Sequence, residues 1–326
     1  MKQILTYISI ISLLFFSSCE EKEPVMGGDV SINEFMTEVE RARISRSFDD
    51  NNKTEFTIGD TIYVFGFAKA TTGDTGIRFM PNDNDDTGDR YIYEADVLGW
   101  HRFQAFESEI GLWRDGFYHD FTAYHHASKF EFKDQTFAMD SSGLAPNELL
   151  WGEVKNVFFS GNSVIIPKIT FNHQLSRIRI KVIHNMAPGD AQNCTINKIT
   201  FNLNNSSADF NAEKGQWSNY SGGSSGIKLL PGKNLDEIPR LTSEEIIECW
   251  VLPTCLIDDF YVTLDGIEDP ILVSFKHNFD PNISPPITKP GYITELQMEF
   301  GDVRMIVFTV NLVPWVKVKK ESVIED

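Results

Sequence analysis

The residues best spaced for chemistry run from Asp83 to Glu94, in the stretch DNDDTGDRYIYE. Counted as a calcium loop of the twelve-residue kind, it puts Asp83, Asp85 and Thr87 at the first three ligand positions, Gly88 at the sharp turn, Asp89 next and Glu94 last. Calcium needs several hard oxygens around a tight turn, and this order could supply them. Against it, no helical pattern flanks the loop, and threonine is a poor ligand at its position. Tyr91–Glu94 also reads as strand, which would aim Glu94 along a sheet and away from the loop. The expectation is an acidic hairpin loop with no tight metal site.

His119, His125 and His126 cluster in HDFTAYHH. On a strand His125 and His126 face opposite sides, while His119 and His125 share a face about 20 Å apart. They cannot hold one zinc ion and are expected at the surface or at a pocket edge. His173 lies in a break between two strand patterns, where a ring nitrogen can donate to a backbone carbonyl, a structural role. There is no G-x-S-x-G elbow, H-E-x-x-H pair, P-loop or dinucleotide fingerprint. The reading is a protein that is not an enzyme and carries no cofactor.

Four cysteines are present. Cys19 follows Lys2, the apolar run Ile4–Phe16 and two serines. The run is too short to span a membrane, and small residues before the cysteine resemble a bacterial lipobox. Residues 1–18 are then a signal peptide, and acyl chains such as palmitate on Cys19 anchor the mature chain in outer-membrane lipid. Glu20-Glu21-Lys22-Glu23 behind it is an acidic tether that resembles a surface-export signal. Cys194, Cys249 and Cys255 remain. Cys249 and Cys255 flank Trp250–Thr254, about 20 Å apart if extended and too far for a bridge. All three read as small buried residues.

The elements that would position such groups read as strands. The chain has 326 residues, 41% hydrophobic and 23% charged, with 25 Phe. That is room for two domains and a composition of packed β-structure. A formal charge of −18, with no basic cluster interleaved with aromatics, excludes a nucleic-acid binder. Val164–Ile183 holds two alternating runs about Asn172-His173-Gln174, with Ile178, Ile180 and Val182 facing a core and Arg177, Arg179 and Lys181 facing water. Val30–Met36 is a first strand, although Ile32, Phe35, Met36 and Val39 also fit one helical face. A charged loop with Arg41, Arg43 and Arg46 follows. Short strands separated by Gly, Asn, Ser and Pro continue to the C-terminus, with no long amphipathic helix.

Several stretches resemble the fimbrillin-like family, subunits of the type V pili of certain Gram-negative anaerobes. They include Phe56, Gly59, Asp60, Ile62, Val64 and Phe65 on one element, and the hairpin pair Tyr93 and Trp100. Asn147–Trp151 follows, then Phe171, His173, Leu175, Ser176, Arg177 and Ile178. Trp250–Pro253 and Val313-Pro314-Trp315 close the series. His125-His126 stands where the family has Tyr-Pro, and Thr254 where it has glutamine.

The resemblance implies an all-β chain of two tandem Greek-key, transthyretin-like β-sandwich domains. Residues 19–47 would form tether, first strand and Arg-rich loop, 48–171 the N-terminal sandwich and 172–326 the C-terminal one. It also implies a surface subunit of a fimbria, partnered with other pilus subunits or itself by strand donation, and with a host or bacterial surface ligand. A protease would cut at Arg41, Arg43 or Arg46, the first strand would leave, and a strand of another subunit would fill the groove. The candidate donor is Val303–Val318, where Val303, Met305 and Val307 face one side and Ile306, Phe308 and Val310 the other. An ordinary central strand of the second domain fits that pattern equally. The alternative function is a surface glycan-binding lipoprotein that stacks sugars on Trp100, Trp113, Trp151 or Trp217.

Overall fold

A computed structural model describes residues 32–314 apart from 40–55, 57, 82–86, 99, 107–111, 127–135, 139–148, 162–164, 193, 223–225, 268, 274–286 and 302–305. The chain is all-β, as its patterning implied. The first half supplies β1 (Glu34–Val39), β2 (Thr61–Lys69), β3 (Ile77–Met80), β4 (Asp89–Val97), β5 (Trp100–Ala105), β6 (Tyr118–His126), β7 (Thr136–Ala138), β8 (Leu149–Phe158) and β9 (Lys168–His173). The expected first strand at Val30–Met36 thus starts later, at Glu34, and is extended rather than helical.

All of these strands except β7 share one sheet, ordered β3-β2-β4-β5-β1-β9-β8-β6, which closes on itself through a β2–β6 pairing. Alternation drives it. In β9 the buried residues Ile169, Phe171 and His173 alternate with Lys168, Thr170 and Asn172. The inner faces enclose a core of Phe35, Tyr91, Phe103, Phe121, Ile169 and Phe171. Gly152 of β8 has to be glycine, because a Cβ there would run into the Thr170 carbonyl of β9.

The second half supplies β10 (Ser176–His184), the single-turn helix α1 (Pro188–Ala191), β11 (Thr195–Leu203), β12 (Ser207–Asn211), β13 (Gln216–Ser221), β14 (Gly226–Leu229), β15 (Lys233–Asn234), β16 (Glu244–Val251), β17 (Ile257–Leu264), β18 (Ile271–Val273), β19 (Tyr292–Phe300) and β20 (Ile306–Pro314). A sheet ordered β16-β10-β19-β20 and another ordered β14-β11-β17-β18, with β15 also on β11, bury Ile178, Ile180, Val182, Ile199, Phe201 and Leu296 in a second core. β9 ends at His173 in the first sheet, and β10 starts at Ser176 in the second.

Two expectations fail here. Arg177, Arg179 and Lys181 do not face water but are nearly buried. β10 runs between β16 and β19, whose glutamates reach over it. Arg177 binds Glu248 at 2.7 Å, Arg179 binds Glu248 at 2.9 Å and Glu245 at 3.0 Å, and Lys181 binds Glu295 at 2.8 Å. The histidines of β6 also differ. His119 and His125 are buried, because they stand on the inward side of β6 with Phe121 and Ala123.

The outer face of β6 is covered as well. β7 leaves the first half to pair with β12, making a three-stranded sheet β13-β12-β7. The β12–β13 hairpin lies over the first sheet: Trp151 Nε1 donates to Ala212 O at 2.7 Å and Thr122 Oγ1 to Glu213 O at 3.0 Å. Phe65 and Tyr124 consequently pack into the second core. Gly215, at φ +64°, lies flat on the Trp151 indole, where a Cβ would clash.

Candidate functional site

Of the features singled out in the sequence, the first strand has the most informative setting. β1 sits between β5 and β9, antiparallel to the one (Glu34 opposite Gln104, Thr37 opposite His101) and parallel to the other (Met36 opposite Lys168, Val39 opposite Phe171). Its flanks are tied in too: Ala105 N–H donates to Asn33 O, and Met36 N–H to Pro167 O, both at 2.9 Å. β1 therefore closes a sheet that would otherwise be open between β5 and β9. A central strand with neighbours from distant parts of the chain is held by two ladders, and its loss leaves two unpaired edges.

The inward side of β1 fills a hydrophobic groove. Phe35 is fully buried, edge-on to Tyr91 with ring centroids 4.7 Å apart and to Phe121 at 5.2 Å. Ile32 is buried ahead of the strand, and its carbonyl accepts from Tyr91 Oη at 2.8 Å. Burial, and Asp89 nearby, push the Tyr91 phenol well above its usual range, so it acts as a neutral donor. Each such side chain contributes about 1.5–3 kcal/mol of burial. Thr37 points the same way and is fully buried, but among the described residues its hydroxyl has no hydrogen-bond partner.

The remaining candidates are scattered. Cys19, Arg41, Arg43, Arg46, Asp83, Asp85, Val303 and Met305 lie outside the described residues. The other members of the acidic stretch do not converge. Thr87 O accepts from Tyr124 Oη at 2.8 Å, Asp89 is buried at the start of β4, and Glu94, farther along β4, binds Arg102 at 3.1 Å. Among the described residues no group of three His, Cys, Asp or Glu is placed to hold a metal ion. In the candidate donor, β20 pairs along its length with β19, which puts Val307 opposite Glu299, Phe308 opposite Met298 and Val310 opposite Leu296. Among the described strands it has no second neighbour, so it lies at the edge of the described sheet.

His119 is fixed as a neutral ring: Nδ1 donates to Val157 O at 3.3 Å and Nε2 accepts from Arg114 N–H at 3.2 Å. Trp113 meets it edge-on at 4.8 Å. Burial lowers its pKa to about 4, opposed by the Val157 bond and assisted by the Arg114 charge. His125 Nδ1 donates to Thr61 O at 2.8 Å. Both histidines are structural.

Cys194, Cys249 and Cys255 are buried and form no disulfide among the described residues, and burial pushes the Cys249 thiol up to about 12 and Cys255 to about 11. The tryptophans proposed for sugar stacking are engaged elsewhere. Trp113 stacks on Phe159 at 5.0 Å, Trp151 is under Gly215, and Trp217 packs on Phe210 and donates to Gln174 O at 3.2 Å. Lys168 Nζ lies over the Trp100 ring at 5.1 Å. Sequence reasoning did not single out Thr37. The only signal for it was its place two residues beyond Phe35 on one strand face.

A profile of the family described as fimbrillin-like matches residues 45–315. No curated protein matches the chain in sequence. Among solved structures, a candidate cell adhesion protein from Bacteroides uniformis is similar with a TM-score of 0.54 at 15% identity, over 87% of this chain and 99% of that one. A candidate cell adhesion protein from Bacteroides ovatus is similar with a TM-score of 0.55 at 13% identity, over 88% of this chain and 98% of that one. At such identities the likeness concerns the fold.

Proposed function

The chain belongs to the fimbrillin-like family, and on that premise we propose that it is a non-catalytic subunit or adhesin of a cell-surface fimbria, assembled by strand exchange. Residues 1–18 are its signal peptide, Cys19 carries the lipid, and the acidic tether leads to β1. Residues 48–171 and 172–326 are its two sandwich units.

The observation that supports exchange most directly is the seat of β1. A single short strand covers an apolar groove lined by Tyr91, Phe103, Phe121, Ile169 and Phe171. Beyond β1 the chain enters the segment that holds Arg41, Arg43 and Arg46. Proteolysis there severs β1 from the body of the subunit, and its departure exposes two strand edges with the pockets of Ile32 and Phe35 between them. An incoming strand from another subunit satisfies both the backbone groups and the pockets. β20 is the proposed donor, since an edge strand has one ladder to break. Sugar stacking has less support, because Trp113, Trp151 and Trp217 are packed within the protein.

The test is limited trypsin digestion of the mature protein, followed by mass spectrometry for the fragment that carries β1. Once that fragment is gone, the products are expected to join into ladders on a non-dissociating gel, and deletion of residues 303–326 to abolish them. Strictly monomeric protein at high concentration, with β1 demonstrably lost, would rule out self-assembly by exchange.

A further inference from the structure

Thr37 fits its seat poorly. Its hydroxyl is buried without a partner among the described residues, so β1 bears the desolvation penalty of that group with no hydrogen bond there to offset it. A valine in the same place would present a methyl group and bear no such penalty. Phe35 and Thr37 are both buried on β1, and Val39 follows two residues on in the sequence, so the spacing reads aromatic, misfit, aliphatic.

The same spacing with valine in the middle occurs twice in the second half. β17 carries it as Phe260, Val262 and Leu264, and β20 as Phe308, Val310 and Leu312. β17 is bonded on both edges, to β11 and β18, so displacing it would break two ladders. β20 is bonded to β19, with no other neighbour among the described strands.

We propose that Thr37 is a built-in misfit that makes β1 replaceable, and that β20 of a second copy takes its seat in one register: Phe308 at Phe35, Val310 at Thr37 and Leu312 at Val39. The inference rests on the exchange reading above and adds the register and the residue that biases it. In that register Thr309 and Asn311 fall at the positions of Met36 and Glu38. Polar side chains suit those positions, since Met36 is only half-buried and is opposite Arg102. β20 exchanges its one long ladder, to β19, for two shorter ones, to β5 and β9, a nearly even trade in backbone pairing. The unpaired hydroxyl leaves with β1, which gives the exchange its direction.

The experiment uses mature protein nicked between Arg41 and Arg46 and shown by mass spectrometry to have lost β1. The probe is a fluorescent peptide with the sequence Arg304–Val313. It is expected to bind, and a Val310→Thr peptide to bind roughly tenfold more weakly, the ratio a buried unpaired hydroxyl imposes. In the nicked Thr37→Val protein, loss of β1 is expected to slow by a similar factor. Register is read separately by disulfide capture: a Thr309→Cys peptide is expected to cross-link to Arg102→Cys, and a Val307→Cys peptide not to. Equal binding of the two peptides, an unchanged rate of β1 loss, or capture through position 307 would overturn this inference and leave exchange standing. Failure of every peptide to bind the emptied groove would overturn both.

Discussion

Replacing His119 by glutamine should remove a measurable part of the acid sensitivity of this fold. The ring is fully buried among Trp113, Phe79 and Phe121, and its pKa is lowered from 6.5 to about 4. The unfolded chain therefore binds more protons than the folded one between those values. The contribution is fully present above pH 6.5, is lost as the pH falls, and is exhausted near pH 4. At roughly 1.4 kcal/mol per unit, the whole shift amounts to about 3 kcal/mol, of which somewhat under half has gone by pH 5.5 and most by pH 4.5. A glutamine amide can keep a donor for Val157 O and an acceptor for the Arg114 N–H, but it has no charge to gain. The assay is urea unfolding at pH 7.5, 5.5 and 4.5, followed by tryptophan fluorescence, for wild type and His119→Gln. The variant loses ring packing equally at every pH, so the informative quantity is the difference in slope. Parallel stability curves for the two proteins across that range would mean that His119 is not a source of the acid sensitivity.

Other sites give sharper structural tests. Glu248→Ala should cost roughly 3–5 kcal/mol in a denaturant titration, since it leaves the nearly buried Arg177 and Arg179 short of a carboxylate. Gly215→Val should cost more than about 2 kcal/mol, through its positive φ and the Trp151 indole beneath it. Hydrogen exchange should then show the β12–β13 hairpin opening before the sandwich cores. Leu98 is 97% exposed at φ 53°, so Leu98→Gly should raise stability by about 0.5–1 kcal/mol, because a leucine in that conformation is strained with nothing to pack against. Cys19→Ala is expected to move the protein from the membrane fraction to the soluble one. Retention after a salt wash would count against the lipid anchor.

Alternation along β9 and β10, the hairpin of Tyr93 and Trp100, and the small buried cysteines were legible from residues alone. Each is a local property, fixed by which side chains recur every second position. Where local pattern misled, a neighbour had intervened. Arg177, Arg179 and Lys181 have the sequence of a solvated face, yet glutamates from β16 and β19 close over them. His119 and His125 look like surface histidines until β6 is placed, with one face in the first core and the other under the β12–β13 hairpin.

For the groove the division is cleaner. Residue pattern alone showed that residues near Phe35 could form a strand, that an arginine-bearing segment follows it, and that the C-terminal stretch alternates apolar residues on both faces. That β1 is inserted between β5 and β9, strands that begin at Trp100 and Lys168, emerges from the assembled sheet. The same holds for the burial of Thr37 with no hydrogen-bond partner among the described residues, and for the edge position of β20 among the described strands. Pairings of that kind depend on which backbone edges remain open once the rest of the sheet has formed. An open edge belongs to the assembled sheet, so no periodicity within a single segment encodes it.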